Sequence, residues 1–360
     1  MAEGNNKFYQ EDKKSERKGY LRTQIKENPE NIKQKSMIES KLKEKIKEKF
    51  DTLELVIAYS GSSKALRVNP LFIEKESDID KIVFNSLCVN NLAAYAYFKS
   101  REINGKIGIV LKPCDAKSIV QLISEQLISR DKIFSIVAGC SGVIDYKKIF
   151  KFTGGLKVIS ADTDDTGIRL KTIDKDYKLN LNDFYADKCY SCRIYDNPVY
   201  SDEFIENDKK PNLESVEEYA DIEEFEKLGL KEIESFWKSE FSRCIRCYAC
   251  RNICPLEVCR DRCIAQLESP HWQSQKINTD EGKFFQMIRV FHLAGRCTEC
   301  GECERVCPAN IPLVKLMKKV NRDILKLFGY RPGYSIDEKP PLLTFKNIEE
   351  NIREENLVNE

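Results

Sequence analysis

Two stretches of this chain repeat one pattern of cysteines. RCIRCYACRNICP runs from Arg243 to Pro255, and 53 positions later RCTECGECERVCP runs from Arg296 to Pro308. Both read R-C-x-x-C-x-x-C-x-x-x-C-P, and together they hold eight of the 15 cysteines. Three cysteines at i, i+3 and i+6 let a short loop wrap three corners of an iron–sulfur cube. The fourth, turned away beside a proline, ligates the other cluster in two-cluster proteins. The spacing therefore assigns Cys244, Cys247, Cys250 and Cys307 to one 4Fe-4S cluster. Cys297, Cys300, Cys303 and Cys254 go to a second. Zinc sites present cysteines in pairs, four to an ion, and do not explain a proline-ended run of four that occurs twice.

Iron–sulfur chemistry needs reduced thiols. A chain of 360 residues has room for two or three domains. Its amino terminus, MAEGNNKFYQEDKKSERKGY, lacks the apolar core of a secretory signal. No apolar run approaches the roughly 20 residues of a membrane span. The expected compartment is the reducing cytoplasm, where clustered cysteines favour metal over disulfides. A formal net charge of +1, with 32% of residues charged, gives no field that would gather nucleic acid.

The elements that must position the boxes read as an α/β amino-terminal half and an all-α carboxyl-terminal half. Residues 1–36 form a charged, flexible tail, and SMIESKLKEKIKEKF is a helix. LELVIAYS is a strand and CVNNLAAYAYFKS a helix. A βαβ unit follows: GKIGIVLK, then DAKSIVQLISEQ with apolar Ile119, Val120, Leu122 and Ile123, then KIFSIVAG. Open α/β sheets bind ligands at the carboxyl ends of their strands, which puts Pro113, Cys114 and Asp115 at the mouth of a pocket. Residues 151–184 read as short strands with Gly and Asp turns. The acidic stretch 201–235 reads as a linker with helical pieces. NTDEGKFFQMIRVFHLAG is a helix capped by Asn278, with Glu281 three residues on and Phe284, Met287, Ile288 and Phe291 along one face. Gly295 ends it. Pro312 opens a further helix and Gly329 closes it. Residues 331–360 are an extension.

Four more cysteines come in pairs, Cys189 and Cys192 in KCYSC and Cys259 and Cys263 in CRDRC. Together they could close a third four-sulfur site, for a 4Fe-4S cluster or a structural zinc ion, or remain unligated. Cys114 reads equally as a low-pKa thiol at a helix start, a cofactor neighbour or a small packed side chain. Thiolate-ligated clusters are anionic, so Arg243, Arg246, Arg251, Arg296 and Arg305 are candidates to raise their potentials. The two histidines, His271 and His292, suit a loop and a helix better than acid–base catalysis. SGSS at Ser60 and TGG at Thr153 are turn signals before they are phosphate loops.

Several segments together resemble a known family. They are FNSLCVNNLAAYAYF, GKIGIVLKPCDAKSIVQLI, AGCSGVID, DKCYSCRIYDNPVYSDEFI and FWKSEFSRCIRCYACRNICP. Over residues 37–350 the chain is similar to the coenzyme F-420 hydrogenase/dehydrogenase beta-subunit family, in the members that end in a dicluster domain. The helical spacer of 42 residues between Cys254 and Cys297 resembles the α-helical ferredoxin domain of heterodisulfide reductase and succinate dehydrogenase subunits. The chain departs from relatives in reading CPLEVC, with Glu257 at a cysteine position, and YSDEFIE after the NP pair. The resemblance implies residues 37–200 as the beta-subunit-like α/β domain and 236–330 as the dicluster domain. It implies an FAD that exchanges electrons with the clusters, with Lys112, Cys114 and Asp115 near the flavin pocket. It also implies partner redox subunits of formate dehydrogenase, hydrogenase or heterodisulfide-reductase type. A flavin-free relay and docking subunit is the competing expectation.

Overall fold

The computed structural model describes residues 37–344, except 165–166, 195–199, 208–216 and 260–262. The charged tail 1–36 and residues 345–360 of the extension lie outside the described residues.

The amino-terminal half is a five-stranded mixed sheet. Helix α1 (Met37–Lys49) buries Ile38, Leu42 and Ile46, spaced four apart on one face. Strand β1 (Leu55–Gly61) pairs antiparallel with β2 (Val68–Ile73). Helix α2 (Ala93–Glu102) then leads to β3 (Ile107–Leu111), α3 (Pro113–Ser124) and β4 (Ile133–Ala138). Strands β1, β3 and β4 are parallel neighbours. Helices cover the parallel core, so these strands read as unbroken apolar runs, and β3 is buried throughout. Pro113 starts α3 where its missing N–H costs nothing.

Helix α4 (Tyr146–Phe152) leads to a separate antiparallel sheet, β5 (Val158–Asp164), β6 (Gly167–Thr172) and β7 (Asp176–Leu179). A short helix, α5 (Asp187–Tyr190), follows. The stretch expected as a linker contains a strand, β8 (Glu203–Ile205), which pairs parallel with β4 and completes the order β2-β1-β3-β4-β8. At three residues it is too short to leave a periodic signal.

The carboxyl-terminal half is helical: α6 (Ala220–Glu226), α7 (Leu230–Ser242), α8 (Ala249–Asn252), α9 (Thr279–Leu293), α10 (Glu302–Arg305) and α11 (Leu313–Phe328). The duplication extends to the backbone. Helix α10 lies 53 residues after α8, and left-handed φ angles occur in pairs at the same offset. These pairs are Arg246 and Glu299, Tyr248 and Gly301, and Glu257 and Asn310. Non-glycine residues adopt this conformation at a cost of about 1–2 kcal/mol each, so both boxes fold the same strained loop.

Asn278 caps α9 as expected, its side chain accepting from the Glu281 N–H. The orientation of α9 differs from a simple apolar reading. Phe284, Met287 and Phe291 point outward, while Phe285, Gln286, Arg289 and Leu293 face the interior. Gly282 explains the close docking. A Cβ there would sit 3.1 Å from the Phe241 carbonyl and 3.3 Å from Cys244 Cβ. Among the described residues no helix is long and apolar enough to cross a membrane.

After α11 the chain returns to the first half. Tyr330 donates its hydroxyl to Gln121 Oε1 at 3.2 Å, and the Gly333 N–H reaches the same oxygen at 2.9 Å. Gly333 holds φ +76, and a Cβ would lie 2.4 Å from the Lys117 carbonyl. Gly333→Ala is therefore expected to lose about 1–3 kcal/mol. Chemical denaturation checks the loss, and proteolysis near residue 333 checks its location.

Candidate metal centres and the adjoining cavity

The two cysteine boxes exchange their last members. Cys244, Cys247, Cys250 and Cys307 line one small cavity with Arg246, Gln286 and Phe285. Cys254 faces the other box: its charge acts on Cys300, and Cys303 acts on it. Cys297 feels Cys300 and Cys303 in turn. Cys250 of the first set also lies near Cys303 of the second.

Three features fit these sets to anionic clusters. Burial pushes the Cys254 thiol up to about 11 and raises Cys297, Cys300 and Cys303, so these sulfurs need a positive centre to stay ionised. The Glu299 N–H points at Cys297 Sγ at 3.4 Å. Arg246 gives its terminal nitrogens to the carbonyls of Ser274 and Lys276, while its Nε is buried without a partner in the lining of the Cys244 cavity. An N–H orphaned there is a donor for a cluster sulfide.

The other box arginines are engaged elsewhere. Arg243 pairs with Glu240, Arg305 with Glu302, and Arg296 with Glu125 of α3. Arg251 bonds Asn252 and Gln266. The cation that sequence proximity missed is Arg289 of α9, 5% exposed, whose neighbours are thiols.

The remaining cysteines pair differently from the sequence expectation. Leu111 of β3 faces Val137 of β4, and three residues beyond that rung the strands deliver Cys114 and Cys140. A bridge between Ile144 and Tyr185, with Ala186 N–H on the Val143 carbonyl at 2.8 Å, lays the KCYSC turn against the same loop. Cys140 feels Cys114 and Cys189, and Cys114 feels Cys192. Backbone N–H groups point at Cys140 Sγ (3.3 Å, from Gly142) and Cys189 Sγ (3.5 Å, from Val143). Cys259 and Cys263 sit elsewhere, hydrogen-bonded to each other on the Phe241–Phe285 core. Cys189 and Cys192 therefore join Cys114 and Cys140, not Cys259 and Cys263. Among the described residues no three Cys, His, Asp or Glu side chains converge as a single metal ion requires.

A cavity of about 1360 Å³ lies at the carboxyl ends of the strands, between this four-thiol group and the second box. Its walls include Arg67, Lys147, Lys151, Gly154, Gly155 and Lys188. Lys112 and Cys114 reach it, while Asp115 is fully buried behind them. Lys112 Nζ contacts Asp115 Oδ2 at 2.5 Å and donates to the Tyr59 hydroxyl at 2.7 Å. Burial opposes its charge, but the Asp115 carboxylate more than compensates and holds the ammonium above its usual value. The pair thus sets the floor of the cavity. Lys188, next to Cys189, donates to the Cys300 carbonyl at 2.5 Å and ties the thiol group to the second box.

Known proteins fall into place around this geometry. Residues 240–311 match the model of the 4Fe-4S dicluster domain. The chain thus carries a 4Fe-4S dicluster domain and is similar to beta subunits. It is 26% identical over 300 residues to the F420-dependent formate dehydrogenase subunit beta of Methanocaldococcus jannaschii, covering 68% of this chain and 77% of that one. It is also 26% identical over 334 residues to the F420-dependent formate dehydrogenase 1 subunit beta of Methanococcus maripaludis, covering 76% and 84%. A chain of the F420-reducing [NiFe] hydrogenase complex of Methanosarcina barkeri aligns with a TM-score of 0.33 at 15% identity, over 44% of this chain and 60% of that one, a likeness too slight to carry weight. The dicluster domain begins in α7 and ends before α11, so it contains both boxes and the α9 wedge.

Two predictions follow from the site. Lys112→Met leaves the Asp115 carboxylate buried without its partner and is expected to cost about 3–5 kcal/mol in a denaturant titration. In metal-free protein the Cys114 thiol, pushed up to about 11 by burial, is protonated at neutral pH. Alkylation of Cys114, followed by mass spectrometry, should be slower than that of a free cysteine at pH 8 and should accelerate as pH rises.

Proposed function

We propose that this chain is the electron-transferring beta-type subunit of an anaerobic oxidoreductase complex, working in the cytoplasm beside a formate dehydrogenase- or hydrogenase-type partner. The observation that supports the reading is that Cys307 lines the small cavity of Cys244, Cys247 and Cys250, while Cys254 lies near Cys300 and Cys303. On this reading four thiols serve each of two 4Fe-4S clusters. The likeness to two formate dehydrogenase beta subunits over two thirds or more of the chain supports the partner class.

The reading extends to the first half. Cys114, Cys140, Cys189 and Cys192 offer four thiols with backbone N–H donors, a set suited to a third 4Fe-4S cluster. The adjoining cavity suits FAD. Its volume exceeds that of most small-ligand pockets, and its lysines and arginine match a pyrophosphate. When bound, the flavin supplies two-electron chemistry and the clusters supply one-electron chemistry.

The protein's own residues do the remaining work. The cysteines fix each site, and Phe241, Phe285, Ile311 and Leu313 keep water from the first. Lys147 donates to the Glu304 and Cys307 carbonyls at 2.9 and 3.0 Å, binding the sheet domain to the second box. Lys188 does the same beside the thiol group. These ties keep the cavity and both boxes in one rigid seam, and electron transfer needs that constancy of distance.

Iron and acid-labile sulfide analysis of anaerobically prepared protein tests the count. Three clusters give about twelve irons, falling by about four in Cys140→Ser and leaving the Cys259→Ser variant unchanged. About eight irons in both the parent and Cys140→Ser would sink the third site. Cys300→Ser should lose or convert one cluster of the dicluster pair, seen in the paramagnetic resonance of the reduced protein. Failure of the chain to take up FAD, judged by the absorption of the protein after gel filtration, would leave only the relay reading.

A further inference from the structure

The inner face of α9 brings a single cation to both cluster sites. Arg289 is 5% exposed and lies near the sulfurs of Cys303, Cys250 and Cys254. Cys250 belongs to the first cluster set, and Cys254 and Cys303 to the second. The Arg289 guanidinium donates to Gln286 Oε1 at 3.1 Å and hydrogen-bonds the Cys303 side chain. Gln286, one turn earlier on the same face, points its amide nitrogen at Cys244 Sγ (3.9 Å) and Cys250 Sγ (4.0 Å). Among the described residues no carboxylate is recorded against Arg289, unlike Arg243, Arg296 and Arg305.

A buried guanidinium without a carboxylate demands negative charge from another source. Among the described residues the thiol sites are the nearby source. Because the cation is shared between the two, it favours adding an electron at either one by a similar amount. Resting on the dicluster reading above, we propose that Arg289 is the positioning residue that sets the potentials of both clusters together, keeping them close enough in energy for an electron to pass either way. Gln286 holds the guanidinium in place and supplies the amide donor to the first set.

The test is a redox titration of anaerobically prepared protein followed by paramagnetic resonance, with iron content measured in the same samples. Arg289→Gln should keep its iron and move both cluster midpoints to lower potential. Arg289→Lys, which keeps the charge, should return both toward the parent values. The exchange Gln286→Arg/Arg289→Gln moves the charge one turn toward Cys244 and Cys250, so the first cluster's midpoint should recover while the second stays low. Full iron with unmoved midpoints in Arg289→Gln, or movement of one midpoint alone, overturns the proposal. If Arg289→Gln fails to assemble, Arg289→Lys decides: parent-like midpoints support the charge role, and lowered midpoints or lost clusters overturn it. A parent protein with no iron in the dicluster domain would instead sink the reading on which the proposal rests.

Discussion

The contact between the two cysteine boxes is the constraint around which the rest of the structure is arranged. Cys307 of the second box stands in the lining of the cavity formed by Cys244, Cys247 and Cys250 of the first. The boxes lie face to face, with α8 and α10 in contact and α9 packed against α7 and α11. The glycine at position 282 exists in this geometry because α9 must come within contact distance of Cys244. The matching left-handed residues at a constant offset of 53 are the backbone record of the same demand made twice. Strain of this kind persists only where the surroundings over-determine it.

The sheet domain meets the boxes through its strand ends, the one edge of an open α/β sheet where side chains and loops are not consumed by crossover packing. Cys114 and Cys140 lie equidistant from a paired rung of β3 and β4, so the sheet register itself sets where those thiols stand. Ser118 of α3 meets Thr298 of the second box at 2.9 Å, and Arg296 meets Glu125. These contacts are polar and buried, so sliding the halves apart would strand several donors and acceptors without partners. The seam is therefore fixed in register as well as in distance.

What could be read from the sequence divides along the same line. The boxes were legible because their chemistry is written in spacings of three and four residues. The βαβ unit was legible because β3, α3 and β4 each carry their own apolar period. Helix α9 was found with its cap, but not its orientation. Phe284, Met287 and Phe291 point outward, since the inward side holds Gln286 and Arg289 near sulfur beside Phe285 and Leu293. The pairing of the KCYSC turn with Cys114 and Cys140 was missed because a single bridge, Ile144 to Tyr185, brings together segments some forty residues apart. Cys140, isolated in the chain, gives no local signal of that meeting. The five arginines inside or beside the boxes drew attention by adjacency, yet all five engage Glu, Asn or Gln side chains. The sixth, a helix away, faces the thiols. β8 escaped because three residues among acidic neighbours show no period.

The strap formed by Tyr330 and Gly333 on Gln121 joins residues 209 and 212 positions apart. A ribosome delivers those residues only after both boxes have emerged. Helix α3 thus waits for its last neighbours until nearly the whole polypeptide has been made. Until then the Gln121 side-chain oxygen lacks both of the donors that the strap brings to it.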